Sequence, residues 1–283
     1  MHIKLRKWVK FLLFIIITLS LFFIYSRYLG TKGLIIKEHA VVDLELPNNF
    51  YGFKIVQISD IHYKVTTTKE TLKNVVNEIN LLKPDIVILS GDLFDNSIKY
   101  SNKDYKDLTN ILNNIDYKIG KFAIKGEHDL NINKWDNVIN DSNFTNLNDS
   151  YEKIYYDGLE PILLIGISSN YKNNHIEDSL EKIHKEINED IKYSILVLHE
   201  PDFISNINYS NFNLILAGHS HNGQIKLPFI GGIIKNKYSK KYYDEYYNLE
   251  NTKLYISGGI GSSKYKLRFL NKPSFNLYRL RNE

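Results

Sequence analysis

The sequence predicts an α/β fold: two packed mixed β-sheets flanked by helices, an α/β/β/α sandwich, preceded by one N-terminal transmembrane helix. Three observations lead there. Strand-like runs alternate with helical periodicity early in the chain and cluster late, an order that calls for two sheets with helices outside them. Several runs are apolar throughout, as in Ile86-Val-Ile-Leu-Ser90, which marks strands buried on both faces. Residues 8–25 are almost wholly apolar past Lys10 and, with their flanks, approach the ~20 residues a spanning helix needs.

That first segment carries Lys4, Arg6, Lys7, Lys10 and Arg27 around it, and residues 1–28 contain no acid. The basic cluster places the N terminus inside and the remainder outside the membrane. A cleaved signal peptide is the rival reading, but Tyr25-Ser26-Arg27-Tyr28 offers no small-x-small site. A buried core helix is the third, and the basic flank and terminal position argue against it. The expected organisation is a cytoplasmic tip and signal anchor over 1–29 and one extracytoplasmic domain over 30–283. No repeat and no Ser/Gly/Pro-rich linker divides the latter.

Residues 30–49 connect to a first strand expected over 40–46, where apolar and polar residues alternate. A strand follows over 53–59. Residues 68–82 carry Leu72, Val75, Val76, Ile79 and Leu82 at helical spacing, and Pro84 ends the helix. Next come a strand over 85–90, a helix over 103–114, a strand over 121–125 and a helix over 132–140. Strands are expected over 144–147, 153–156 and 162–167. A helix over 176–188 puts Leu180, Ile183 and Ile187 on one face. The last strands are 194–198, 213–217, 254–257 and 275–280.

Composition excludes several functions. The basic residues of the first segment account for the formal charge of +4, so the rest is close to neutral and no nucleic-acid partner is expected. The chain has no Cys, which excludes disulfides, Cys-ligated zinc and thiol catalysis. No protein partner can be inferred.

The chemistry lies at strand ends. Five apolar runs stop at Asp60-x-His62, Gly91-Asp92-x-x-Asp95, Gly126-Glu127-His128-Asp129, His199 and Gly218-His219-x-His221. Open α/β sheets place ligands outside such ends. An alternating D-x-H or H-x-H in extended chain puts both side chains on one side, within reach of one ion. Glycines allow sharp turns at the ligands. A nitrogen and oxygen donor set suits Mn, Fe or Zn, and two ions need more ligands than one motif supplies.

These blocks, in this order, resemble the calcineurin-like metallophosphoesterases, whose pattern is D-x-H, G-D-x-x-D, G-N-H-D/E, a lone H, then G-H-x-H. The run Gly218-His-Ser-His-Asn-Gly-Gln-Ile-Lys-Leu-Pro228, with Gly258-Gly-Ile-Gly261, Arg268-Phe269 and Lys272-Pro273, is similar to the membrane-linked YkuE/YaeI-like branch. The resemblance implies that Asp60, His62, Asp92 and His221 hold one ion, that Asp92, Glu127, His199 and His219 hold the other, and that Asp92 bridges. It implies hydrolysis of a phosphate ester by a hydroxide held between the cations. His128 would donate a proton to the leaving oxygen or stabilise the transition state, with Asp95 and Asp129 orienting ligands and His128. The expected function is a membrane-anchored phosphoesterase acting on mono- or diesters of lipid or cell-envelope origin. The alternatives are a catalytically weak metal-binding module and a phosphodiesterase for soluble nucleotides.

One position departs from the pattern: Glu127 stands where the family usually has Asn. The added negative charge should weaken the pull on a dianionic phosphate and make bound water less acidic. The competing reading is that Glu127 simply ligates as Asn would. Elsewhere, His2, His39, His175 and His184 read as surface or core residues. Residues 233–247 mix Lys and Tyr and read as a lid or as a solvated loop or hairpin. The stretch 258–263 lacks the Lys-Ser/Thr of a phosphate-binding loop and reads as a turn. Gly218-His-Ser-His-Asn is not a nucleophile elbow, because the second Gly is missing.

Overall fold

The computed structural model describes residues 6–187, 189–262 and 265–283. His2, Lys4, Asn188 and Ser263, which enter the expectations above, lie outside the described residues. α1 (Lys7–Ile24) is followed by a π-helical turn, Tyr25–Leu29, and then by β1 (Ile35–Val42). No residue of α1 is buried, so it is not a core helix; it is long and apolar enough to cross a membrane.

β2 (Lys54–Ile58), α2 (Lys69–Leu82), β3 (Ile86–Ser90), α3 (Asn102–Asn113), β4 (Gly120–Ile124), α4 (Trp135–Asp141) and β5 (Thr145–Asn146) form the first alternating half. Caps set the helix starts. Thr68 accepts from the Thr71 N–H ahead of α2, and Ser101 forms a capping box with Asp104 ahead of α3. The second half holds β6 (Ser150–Ile154), β7 (Ile162–Gly166), α5 (Ile176–Glu186), β8 (Ser194–Val197) and β9 (Leu214–Ala217). A small hairpin, β10 (Lys226–Leu227) and β11 (Gly231–Gly232), precedes β12 (Tyr246–Leu249), β13 (Thr252–Ile256) and β14 (Ser274–Arg281).

Two six-stranded sheets result, ordered β1-β14-β2-β3-β4-β5 and β12-β13-β9-β8-β7-β6. Both are mixed. β2, β3, β4 and β5 run parallel while β14 is antiparallel to β2; β7, β8, β9 and β13 run parallel while β6 and β12 are antiparallel edges. One core lies between the sheets, where Ile55, Ile88 and Phe122 meet Leu164, Val197 and Leu216. Helices α2, α3 and α4 cover the outer face of the first sheet, and α5 that of the second. The sandwich is as expected.

Several boundaries differ. The first strand lies at Ile35–Val42 because Asp43 stops it: its Oδ1 accepts from the Glu45 N–H (3.0 Å) in an Asx turn, and Leu46 is a buried turn anchor. β6 ends at Ile154, opposite Ile162, and Tyr156 packs on Phe53 instead of continuing the ladder. α4 starts only at Trp135, since Ile132 N–H bonds Asp129 O and Trp135 N–H bonds Ile132 O in tight turns. β10, β11 and β12 had no sequence expectation.

Candidate metal centre

Five loops build the centre, each leaving the carboxyl end of a strand with a parallel neighbour. β2 delivers Asp60 and His62, β3 Asp92 and Asp95, β4 Glu127 to Asp129, β8 His199, and β9 His219 and His221. Gln57 ties these ends together from below. Its Nε2 donates to Ser90 Oγ (2.8 Å) and Ala217 O (2.9 Å), and its Oε1 accepts from the Tyr278 hydroxyl (2.7 Å).

The paired residues converge, but not through extended chain. Asp60 (φ 51°), His62 (45°), Asp92 (53°), His219 (65°) and His221 (48°) all take left-handed backbone, and His221 opens a 3-10 turn. Such backbone costs about 1–3 kcal/mol per residue and collects where side chains must be aimed. Tight curls therefore replace the expected period of two. The glycines serve close approach as much as turning. Gly91 has φ +99°, whereas at Gly126 an added Cβ would stand 2.2 Å from Asp92 Oδ1.

Donor atoms fall into two main clusters, each within 4.8 Å: Asp60, His62 and His221, and Asp92, Glu127, His199 and His219; a third group, His62, Asp92 and His128, overlaps both. Asp92 Oδ2 lies between them, 3.3 Å from His199 Nε2 and 3.7 Å from His62 Nε2. Two cations with the Asp92 carboxylate between them fit this set. Buried His62 Nε2, His199 Nε2, His219 Nδ1 and Glu127 Oε2 have no hydrogen-bond partner. Yet His199 Nε2 is 2.8 Å from Glu127 Oε2, and His219 Nδ1 is 2.8 Å from Glu127 Oε1, close without hydrogen-bond geometry. Orphaned buried donors and acceptors are costly unless an ion satisfies them together.

The far nitrogen of each ring is committed. His62 Nδ1 pairs with Asp95 Oδ2 (3.1 Å), His199 Nδ1 donates to Ser90 O (2.7 Å) and His219 Nε2 donates to Lys237 O (2.7 Å). These bonds fix ring orientation and leave one nitrogen facing the cluster. His221 differs: its Nδ1 faces the Arg268 guanidinium at 3.5 Å. Burial, His62 and Arg268 hold its pKa well below the usual imidazole value, so the ring is neutral. Arg268 is fully buried and donates to the carbonyls of Gly258 (2.8 Å), Gly259 (2.9 Å), Gly261 and Asn271 (3.2 Å). Sequence reasoning gave it no task, and no local pattern distinguishes a buried Arg from a surface one.

Burial opposes charge on Glu127, but His219 and His199 outweigh it and hold the carboxyl well below its ordinary range. Burial likewise opposes charge on His128, yet Asp95, Asp92 and Glu127 push its pKa up to about 9. The His128 ring stands 3.5 Å from Asp95 Oδ1, and its backbone N–H donates to Asp92 Oδ1 (2.9 Å). Asp95 thus touches both His62 and His128. Asp129 accepts instead from the N–H groups of Leu93 (3.2 Å), Phe94 (2.9 Å) and Gly126 (3.0 Å), joining the Asp92 and Glu127 loops.

A cavity of about 580 Å³ opens over the donors, walled by Arg27, Tyr171, Asn236, Lys237 and Lys266. Residues 233–247 are docked in part: Asn236 Nδ2 donates to His219 O (3.0 Å) and Tyr242 is buried, while Lys235, Lys237, Lys240 and Lys241 are exposed. The bend at 258–262 supplies carbonyls to Arg268. His39 stacks on Tyr278, His175 pairs with Asp149 (3.1 Å) and His184 lies by Phe212, all outside the donor clusters.

A family model for calcineurin-like phosphoesterases matches residues 53–223, more than half of the chain. The chain belongs to that family. It is 32% identical over 269 residues to the uncharacterized metallophosphoesterase YkuE of Bacillus subtilis, covering 91% of this chain and 89% of that protein. It is 31% identical over 249 residues to an uncharacterized metallophosphoesterase of Campylobacter jejuni, covering 87% of this chain but 63% of that protein. To UDP-2,3-diacylglucosamine pyrophosphatase LpxG of Chlamydia trachomatis it is 26% identical over 287 residues, covering 83% and 86%. The chain is thus a hydrolase of the calcineurin-like phosphoesterase family with a buried dimetal site of His and carboxylate donors.

Proposed function

We propose that the protein is a membrane-anchored phosphoesterase that hydrolyses phosphate mono- or diesters of lipid or cell-envelope origin. Residues 1–29 form the tip and signal anchor, and 30–283 the catalytic domain on the extracytoplasmic face. The observation that carries this reading is the pair of adjacent donor clusters, with Asp92 3.7 Å from His62 of the first, beneath a cavity lined also by His128. Asp60, His62, Asp92 and His221 would hold one ion of Mn, Fe or Zn; Asp92, Glu127, His199 and His219 would hold the second.

Two such cations, when bound, acidify water and draw off the negative charge that builds on phosphorus oxygens. The chain supplies the rest. His128, kept protonated by its three carboxylate neighbours, can hand a proton to the leaving oxygen. Asp95 holds that ring and His62 at once, so the proton donor and one metal ligand share a support. The likeness to LpxG favours a membrane-borne ester, since the substrate in that protein's name joins acyl chains to phosphate.

Elemental analysis of the purified full chain, with a panel of phosphate mono- and diesters, tests the reading. Two equivalents of transition metal and turnover of an ester are expected. Bound metal with no turnover would leave a binding module, and no bound metal would remove the proposal altogether.

A further inference from the structure

We propose that the membrane helix is part of the substrate site: Arg27 binds the phosphate of an ester carried in the bilayer surface and holds it against the metal donors. This rests on the phosphoesterase reading above and names the substrate class for the same cavity.

α1 does not end free of the domain. The π-helical turn beyond it docks on the segment 265–270. Arg268 N–H donates to Ser26 O (2.9 Å), and Ser26 is fully buried. Gly30 packs so closely that an added Cβ would stand 1.8 Å from Arg268 O. Phe269 closes the contact, its ring 4.8 Å from Phe22 and 5.4 Å from Tyr25. One residue therefore holds both ends of the arrangement. Arg268 grips the anchor through its backbone and, through its guanidinium, the loop beside His221.

The docked turn brings Arg27 into the wall of the metal cavity, beside Lys237 and Lys266. The Arg27 guanidinium lies 5.5 Å from the Tyr28 ring and pairs with no carboxylate among the described residues. The cavity floor carries Asp92 and Glu127, with Asp60 behind them, so a phosphate entering it needs cations on its open side. A guanidinium fork matches two phosphate oxygens and stays charged at any working pH.

Position names the source of that phosphate. Arg27 is three residues past α1 and two before the end of the apolar span Lys7–Leu29, where a long basic side chain reaches to the headgroups. The β10–β11 hairpin stands on the same side, since Lys226 N–H donates to Phe269 O (2.9 Å). Its tip bares Phe229 and Ile230, an apolar pair suited to the acyl boundary. The cavity thus opens where an anchored domain meets its bilayer.

The test uses the full, metal-loaded chain in phosphatidylcholine nanodiscs, with Arg27→Ala and Arg27→Lys variants. Binding of inorganic phosphate is read by calorimetry, which needs no turnover. Hydrolysis is read with two diesters sharing one leaving group, p-nitrophenyl hexadecyl phosphate in the disc and p-nitrophenyl methyl phosphate in solution. Arg27→Ala should weaken phosphate binding and lower kcat/KM by about tenfold to a hundredfold with metal content unchanged, and Arg27→Lys should recover part of it. The wild type should favour the bilayer-borne diester by at least about tenfold.

Wild-type phosphate affinity in Arg27→Ala overturns the role of Arg27. Equal kcat/KM on the two diesters overturns the membrane-borne source. A mature N terminus mapped beyond residue 27 overturns the whole inference. An inactive, metal-free wild type instead strikes the phosphoesterase reading, and there docking is still read directly. If the turn is docked, the Arg268 N–H that bonds Ser26 O must be protected from hydrogen exchange, and unprotected exchange at that amide rejects the inference.

Discussion

The two donor clusters are built from the same residue types but differ in what stands behind them. Asp60, His62 and His221 are almost wholly buried, bring one carboxylate of their own, and have the Arg268 cation at their back. Asp92, Glu127, His199 and His219 bring two carboxylates and are backed by neutral carbonyls, those of Ser90 and Lys237. Charge thus favours a cation in the second cluster, and rigid burial must do more of the work in the first. During graded chelation the first ion lost should be that of the Asp60 cluster, which anomalous scattering from a partly stripped crystal would locate.

The largest break in this comparison should come from Asp92, a donor of the second cluster that lies 3.7 Å from His62 of the first. Asp92→Asn removes charge from each, and hydrolysis should fall by about 10²–10³-fold or more, with metal content dropping in both pockets. A variant that keeps both ions and its rate would mean that Asp92 does not bridge. Next in size is Arg268→Met, which strips the carbonyls of Gly258, Gly259, Gly261 and Asn271 of their donor. Unfolding should become easier by about 3 kcal/mol or more, read by denaturant titration. Its effect on metal affinity should fall on the Asp60 cluster alone. Smaller again is Asp95→Asn, which loosens His62 and His128 together and should cost about 10–100-fold in kcat. Metal affinity should weaken in the first cluster and hold in the second.

The two clusters were also unequally legible before the fold was known. Every donor could be named, because an Asp or His that ends an apolar strand has no packing reason to be there. Strand and helix order was readable from period and caps, as Thr68 and Ser101 show. How the donors meet was not readable. Period-two alternation suggested extended chain, but Asp60, His62, Asp92, His219 and His221 all take left-handed backbone, and propensity offers no sign of that. What backs the first cluster was hidden too. Arg268 acts through its burial, and Arg27 acts through the docking of a helix that looks like a plain membrane segment. Short strands such as β12 depend on the edge they find rather than on their own pattern.

Glu127→Asn is the gentlest of the changes and the sharpest test of the comparison. Asn is one methylene shorter than Glu, so a Glu127→Gln control, which keeps the length, isolates the effect of charge at the second cluster. Glu127 lies 2.8 Å from ligating nitrogens of both His199 and His219, so its negative charge acts on that cation and on any phosphate beside it. Replacing it should bring the clusters closer in cation affinity. It should also draw dianionic monoesters more strongly than monoanionic diesters, raising the ratio of their kcat/KM values by about tenfold. Titrating Mn into the metal-free variant while assaying one ester of each kind reads both effects in the same sample. If the affinities stay apart and the ratio stays fixed, Glu127 merely occupies the place of an amide, and the asymmetry must come from Arg268 instead. In that case the Arg268→Met and Glu127→Asn variants combined should show the selectivity of Arg268→Met alone.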